Sequence, residues 1–373
     1  MKVVVIGAGV AGLAIGWRLA QSGCKVVVLD RAGPGHGATW ASAGMIAATA
    51  EGAHGSGALA DYGRFSARLW PSFAAEIEQA SGRAISYRRD GTLIVAPSSD
   101  TASRGYDFDL AGTSVLSPEE ALRLEPLLRP DIAGALFAPD DAQVDSRALG
   151  MALALALIAA GGVLQVNEAV VRLEMTDSRV VGARTPFALY GADAFVIAAG
   201  AWSNGLKGLP PDLLPPIVPV KGEMIALAPL AGTALPIRLV WGNEIYLVPR
   251  HDRLFVGATV SREGFDTRAT SAAGQWLRKR AVELMPALQG WKLTEHWAGL
   301  RPGSPDDLPV IGETAVPGLF IASGQYRNGI LLAPAIAEAL RSLILEHRQP
   351  PEILAFHPHR FTGHHLAGDD GIG

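Results

Sequence analysis

Gly7, Gly9 and Gly12 stand at G-x-G-x-x-G spacing directly after the apolar run Val3–Ile6, and Asp30 follows 18 residues after Gly12. This set can hold a pyrophosphate. Gly7 lets the chain turn sharply, Gly9 removes the side chain that would block a phosphate, and Gly12 lets a helix pack close to a sheet. The phosphates then face a helix N-terminus, where amide groups and the dipole favour negative charge. Asp30 ends a second apolar run, Val26–Leu29, and can accept hydrogen bonds from an adenosine ribose. A bare glycine fingerprint is a weak signal. Flanked by two β-branched strands and closed by an acid, it specifies a dinucleotide site.

Four more segments carry candidate chemistry. Gly37–Met45 is a small-residue run that permits close approach of backbone to a flat ligand. Ile197–Trp202 ends a buried strand in small residues, Gly200 among them. Trp297–Pro302 places Arg301 in an otherwise apolar loop. Gly324–Pro334 leads into the last helix, whose N-terminus can face an anion or a polarised carbonyl.

The elements that must position these groups follow from hydrophobic patterning. Val163–Val166, Ala194–Ala199 and Leu319–Ala322 read as strands, and Ile330–Leu345 as a helix. Ala148–Leu164 holds 17 residues without a charge, marginal for a bilayer, and is read as a helix buried between domains. Ile85–Tyr87 and Thr92–Val95 around Asp90-Gly91 predict one hairpin; Glu244–Val248 and Leu254–Val260 predict another. The pattern fits an α/β fold: a doubly wound, Rossmann-like domain built from residues 1–80, 146–216 and 293–350. An antiparallel β-sheet plus helix substrate domain, residues 81–145 and 217–292, is inserted in it. Pro210–Pro219, with five prolines, marks one crossing. Residues 351–373, rich in Gly, His and Asp, read as a mobile tail in which His357, His359, His364 and His365 are solvated.

At 373 residues with 49% hydrophobic content, the chain is long enough for two domains. A net charge of −4 gives no reason to expect nucleic acid. The single cysteine, Cys24, excludes an intrachain disulfide and an all-cysteine metal site, and is read as structural. No metal centre is expected. The N-terminus imitates a secretory signal, but cleavage near Cys24 would destroy the glycine motif. A cytoplasmic protein with no membrane span is therefore expected.

Ala43-Gly44-Met45, Pro219–Glu223, Tyr246–Arg250, Val256–Thr259, Trp297–Pro302 and Tyr326–Pro334 together resemble the FAD-dependent D-amino-acid-oxidase-like amine oxidoreductases, most closely the glycine oxidases linked to thiamine synthesis. The resemblance runs over about residues 1–347 and implies that the dinucleotide is FAD. It places Val10 and Ala11 at the pyrophosphate, and Asp30 and Arg31 at the ribose end. Ala38, Thr39, Ala43, Gly44 and Met45 then run along the flavin, and Val170 meets adenine. Gln325, Tyr326, Asn328, Gly329, Ile330 and Leu331 form the loop over the flavin ring. Arg301 and Arg327 hold the substrate and Tyr246 lines its pocket. A homo-oligomer is implied as well.

The chemistry implied is oxidative deamination of glycine or another small amino acid. Arginine grips a carboxylate with two parallel hydrogen bonds, and a tyrosine hydroxyl adds a third. Hydride passes from the α-carbon to flavin N5, the imine hydrolyses to a 2-oxo acid, and dioxygen reoxidises the flavin to give hydrogen peroxide. A dehydrogenase passing electrons to a quinone or carrier, a D-amino acid or sarcosine-type oxidase, and a non-catalytic flavoprotein are the alternatives. Arg250 is read as structural, and Lys221 as either near the flavin or at a strand end. Trp40 either narrows an entrance or packs at the domain seam. Glu244 is left as an acid that favours a cationic amine if it reaches the pocket.

Overall fold

Lys2–Ile6, Lys25–Leu29, Val163–Gln165, Ala194–Ile197 and Leu319–Ser323 form parallel strands, because their β-branched and aliphatic runs suit a sheet covered on both faces. With Val310–Glu313 as an antiparallel edge they make a six-stranded sheet. Lys2–Ile6 lies between Ala194–Ile197 and Lys25–Leu29. These features come from a computed structural model, which describes residues 1–52, 57–96, 112–242 and 244–361.

The period of two along the first strand divides its neighbours. Val3 and Val5 pack on the helices Val10–Gln21, Ser146–Ala159 and Gly329–Glu346. Val4 and Ile6 face the other way, onto Leu173, Val180 and Ala183 of a three-stranded antiparallel sheet. Helices therefore cover one face of the parallel sheet and a small sheet covers the other. The uncharged stretch read as a buried helix is that of Ser146–Ala159, capped by Asp145, whose carboxylate accepts from the Arg147 and Ala148 amides. Among the described residues no helix is long and apolar enough to cross a membrane.

The second sheet has eight strands, ordered Lys292–Gly303, Val218–Ala228, Arg253–Gly257, Ile245–Arg250, Leu239–Gly242, Thr92–Ala96, Gly134–Ala138 and Ser114–Leu116. The hairpin around residues 250–253 forms as expected. The one expected around Asp90-Gly91 does not. Thr92–Ala96 pairs with Gly134–Ala138 and Leu239–Gly242, while the chain before it makes only a bridge from Arg88 to Gln143. Gly91 does turn the chain, at φ +80°, but toward a partner distant in sequence. Lys292–Gly303 also departs from expectation. Patterning places residues 293–350 in the nucleotide domain, but this strand pairs along Val218–Ala228 in the larger sheet.

The first part of the stretch expected to be a mobile tail is ordered. Residues 351–361 form two short 3-10 turns in which Ile353 and Phe356 are fully buried against the helical layer. Burial of these two side chains and the Arg360–Asp306 pair at 2.9 Å anchor the segment. His357 and His359 meet edge to face, and His364 and His365 lie outside the described residues.

Candidate active site

A cavity of about 630 Å³ runs from the C-terminal edge of the parallel sheet to the inner face of the eight-stranded sheet. That is the place where open α/β sheets bind ligands. Gly7, at φ +110°, makes the turn that ends the first strand. The next helix starts at Gly9 with no side-chain cap of its own; the Thr39 hydroxyl accepts from the Val10 amide at 2.9 Å. Thr39 thus ties the small-residue run to the N-terminal end of that helix.

Asp30 sits at the tip of the second strand, as its spacing required. Its carboxylate accepts from the Ala8 amide at 2.6 Å and the Ala32 amide at 2.7 Å, so it braces the glycine turn as well as facing the cavity. The Arg31 guanidinium lies 3.5 Å over the Trp202 ring. All site residues named from the sequence border the cavity except Gly12, Asn328 and Leu331. Gly12 lies behind the turn, against Gly7 and Ala198. Asn328 closes the Gln325 turn and precedes the last helix. Leu331 is buried within it. Pro334 lacks the amide that would reach the Ile330 carbonyl, and one residue on the ladder is rerouted through a side chain: the Leu331 carbonyl accepts from Ser66 Oγ at 2.7 Å and Trp70 Nε1 at 2.9 Å, while the Ala335 amide donates to Ser66 Oγ at 3.4 Å.

The other end of the cavity is built by sheet register. Met224 lies opposite Trp297 and Gly257, and Gly257 lies opposite Tyr246. The Tyr246 ring fills the space over Gly257: a Cβ there would stand 2.6 Å from it. Arg301 projects from the same face as Trp297, two residues per repeat along the strand. Its Nη1 donates to the carbonyls of Thr259 at 3.2 Å and Lys221 at 3.4 Å. Burial raises the Tyr246 phenol while Arg301 and Arg327 oppose that shift; the hydroxyl stays protonated and able to donate. Tyr326, in a left-handed conformation, donates its amide to the Pro302 carbonyl and so ties the last loop to the end of the Arg301 strand. Arg327 follows directly, its guanidinium 5.5 Å from the Trp241 ring centre. The three expected substrate-binding groups therefore share one wall.

One residue of this wall was not anticipated. Glu51 Oε2 lies 3.6 Å from Arg327 Nε, and the carboxyl borders the cavity. Burial raises it, against the pull of Arg327 and then Arg301, with a smaller push from Asp141. The signal available was its isolation: it is the sole Asp, Glu, Lys or Arg between Arg31 and Asp61.

The undecided residues now have places. Lys221 does not face the cavity. It is buried on the opposite side of its strand, where it pairs with Glu263 at 2.8 Å and Glu223 at 3.5 Å. Glu244 is exposed and pairs with Arg280 at 3.1 Å, so its charge does not enter the pocket. Arg250 is structural: it donates to Gln143 at 2.6 Å and to the carbonyls of Ala43 and Val144, bracing the turn at Gly44. Trp40 borders the cavity and stacks under Arg147 at 3.9 Å.

The cavity's polar lining suits a dinucleotide. Gln325 Nε2 is buried in it without a hydrogen-bond partner, and the helix Val10–Gln21 starts at its edge. Residues in this wall would hold FAD between Asp30 and the Gln325 loop.

The chain is 35% identical over 354 residues to a glycine oxidase of Geobacillus kaustophilus, with 92% of each chain covered. The crystal structure of glycine oxidase from that organism superposes with a TM-score of 0.89 over 97% of this chain and 100% of the other, at 32% identity. An iminodiacetate oxidase from Chelativorans sp. superposes at 0.83, with 27% identity and 95% and 98% coverage. A bifunctional ThiO/ThiG protein of Synechocystis sp. is 36% identical over 370 residues. That match takes in 96% of this chain but 54% of the relative, so the chain spans about half the length of these bifunctional relatives. Residues 2–343 match the family model described as DAO, FAD dependent oxidoreductase. The chain belongs to this family of FAD-dependent oxidoreductases.

Proposed function

We propose that the protein oxidatively deaminates glycine or another small amino acid, with dioxygen as the final electron acceptor. The observation that carries this reading is the convergence of Arg301, Arg327 and Tyr246 on one wall of the cavity that holds the dinucleotide fingerprint at its other end. Similarity to glycine oxidases supports the choice of a small substrate.

The residues divide the work. The Arg301 guanidinium is already fixed by two backbone carbonyls, so little side-chain entropy is lost when it takes a substrate carboxylate. Tyr246 donates its protonated hydroxyl to the same carboxylate. Fixing the acid end orients the α-carbon, which is how positioning lowers the barrier. FAD, when bound, would supply the two-electron acceptor for the α-carbon hydride and the means to pass those electrons on to dioxygen, giving hydrogen peroxide. No side-chain base is required for a substrate that enters with a neutral amine, and the imine is hydrolysed by water. By the same family resemblance the working form is a homo-oligomer, a point that light scattering would test.

The test is an assay of the FAD-loaded protein under air with glycine, sarcosine and D-alanine, in which hydrogen peroxide and the 2-oxo acid are measured together. Equimolar production of the two is expected. Product formed only with an artificial dye or quinone would replace dioxygen as acceptor; no product with any amino acid would overturn the reading.

A further inference from the structure

An acid beside a carboxylate clamp repels the ligand the clamp is built to hold, yet Glu51 stands there. Its position is built. The short helix Ala48–Gly52 that carries it is held by Asp141, whose carboxylate accepts from the Thr49 amide at 2.9 Å and the Ala50 amide at 3.2 Å. Asp141 itself is buried and does not border the cavity, whereas the Glu51 carboxyl does, 3.6 Å from Arg327.

We propose that Glu51 determines specificity by charge: it compensates Arg327, leaves the site one uncompensated guanidinium, that of Arg301, and so selects substrates with one carboxylate against those with two. The count is direct. Two arginines and one ionised glutamate leave a single positive charge, which one substrate carboxylate neutralises. A second carboxylate on the substrate meets Glu51, whose side chain is 13% exposed, and like charges so placed supply discrimination. With the acid removed, Arg327 becomes free to take that second carboxylate. This inference rests on the amino-acid oxidation reading above.

The experiment uses the FAD-loaded wild type, Glu51→Gln and Glu51→Asp under mildly alkaline conditions, which favour the ionised acid. Anaerobic reduction of the flavin is followed with glycine and with iminodiacetate, a secondary amine with two carboxylates. Glu51→Gln is expected to raise the iminodiacetate-to-glycine ratio of kcat/KM by about tenfold or more, and Glu51→Asp to restore it. A ratio unchanged in Glu51→Gln, with both substrates slowed equally, would overturn the proposal, because a residue that only orders Arg327 affects both alike. The wild type gives a check that needs no variant. Acetate is expected to perturb the flavin absorbance at lower concentration than malonate, and the reverse order would also overturn the proposal. Failure of every amino acid to reduce wild-type flavin would instead sink the oxidation reading itself.

Discussion

The Arg301 guanidinium lies flat against Gly222, in the volume that any side chain at position 222 would occupy. The two residues sit on adjacent strands, since Val220 pairs with Arg301 and Gly222 pairs with Gly299. A missing side chain on one strand thus makes room for a cation on the next, and the Thr259 and Lys221 carbonyls hold it there.

Gly222→Ala should therefore act on substrate binding more than on folding. The obstructing atoms belong to the far end of a flexible side chain, which can move aside. Roughly one to two decades of kcat/KM should be lost, mostly through KM, if the charged hydrogen bond worth ~1.5–3 kcal/mol is misplaced. Steady-state kinetics and the flavin spectrum check this together; a variant with wild-type KM would show that Arg301 does not bind substrate.

Arg301→Ala removes the group entirely and should cost roughly one to three decades in kcat/KM, with orientation lost as well as binding. Tyr246→Phe deletes one neutral donor and should cost about tenfold or less. The ranking of the two by kcat/KM is the check, and a larger effect at Tyr246 would reassign the main anchor.

Asp30→Ala should weaken FAD retention by about a decade or more while leaving substrate preference unchanged, because the Ala8 and Ala32 amides lose their charged acceptor along with any ribose contact. Fluorescence titration of the apoprotein with FAD measures the affinity. Unaltered affinity would remove Asp30 from the cofactor site.

Glu51 also gives a stability signature. Burial raises its carboxyl in the native chain, with Arg327 and Arg301 opposing. Between the ordinary carboxylate value and that raised value, the native chain holds a proton that the unfolded chain has shed. Stability relative to Glu51→Gln should therefore be greatest below the ordinary value, fall as pH rises through the window, and level off above it. Urea unfolding of both apoproteins across this range would show it; a difference independent of pH would mean the carboxyl is not raised.

The parts of the site legible in sequence are those fixed by local rules. Gly7 and Gly9 belong to a strand–turn–helix unit of known spacing, and Asp30 follows at the end of the next strand, so a few dozen residues specify that end of the cavity. The hairpin expected from Glu244–Val248 and Leu254–Val260, which forms between Ile245–Arg250 and Arg253–Gly257, was legible for the same reason, as was the uncharged helix behind the parallel sheet. What could not be read depends on pairing between distant segments. Thr92–Ala96 chose Leu239–Gly242 over its sequence neighbour, and Lys292–Gly303 joined the larger sheet because Val218–Ala228 offered it a full-length partner. Glu51 was missed because Asp141, 90 residues further on, positions the helix that carries it. Lys221 was ambiguous because a period of two gives alternation but not which face is inward, and Glu244 because it lies in a left-handed turn at φ +69° just before the strand Ile245–Arg250, outside that alternation.

The most direct measurement is an anaerobic titration of the FAD-loaded protein with glycine, sarcosine, D-alanine and D-proline, followed by loss of the flavin absorbance band. The structure leads us to expect full bleaching by at least one of these in the wild type, and bleaching by the same amino acid in Arg301→Ala only at far higher concentration or at a much lower rate. A flavin that no amino acid reduces, or one reduced identically in the two proteins, would contradict the assignment of Arg301 as the anchor of an amino-acid oxidising site.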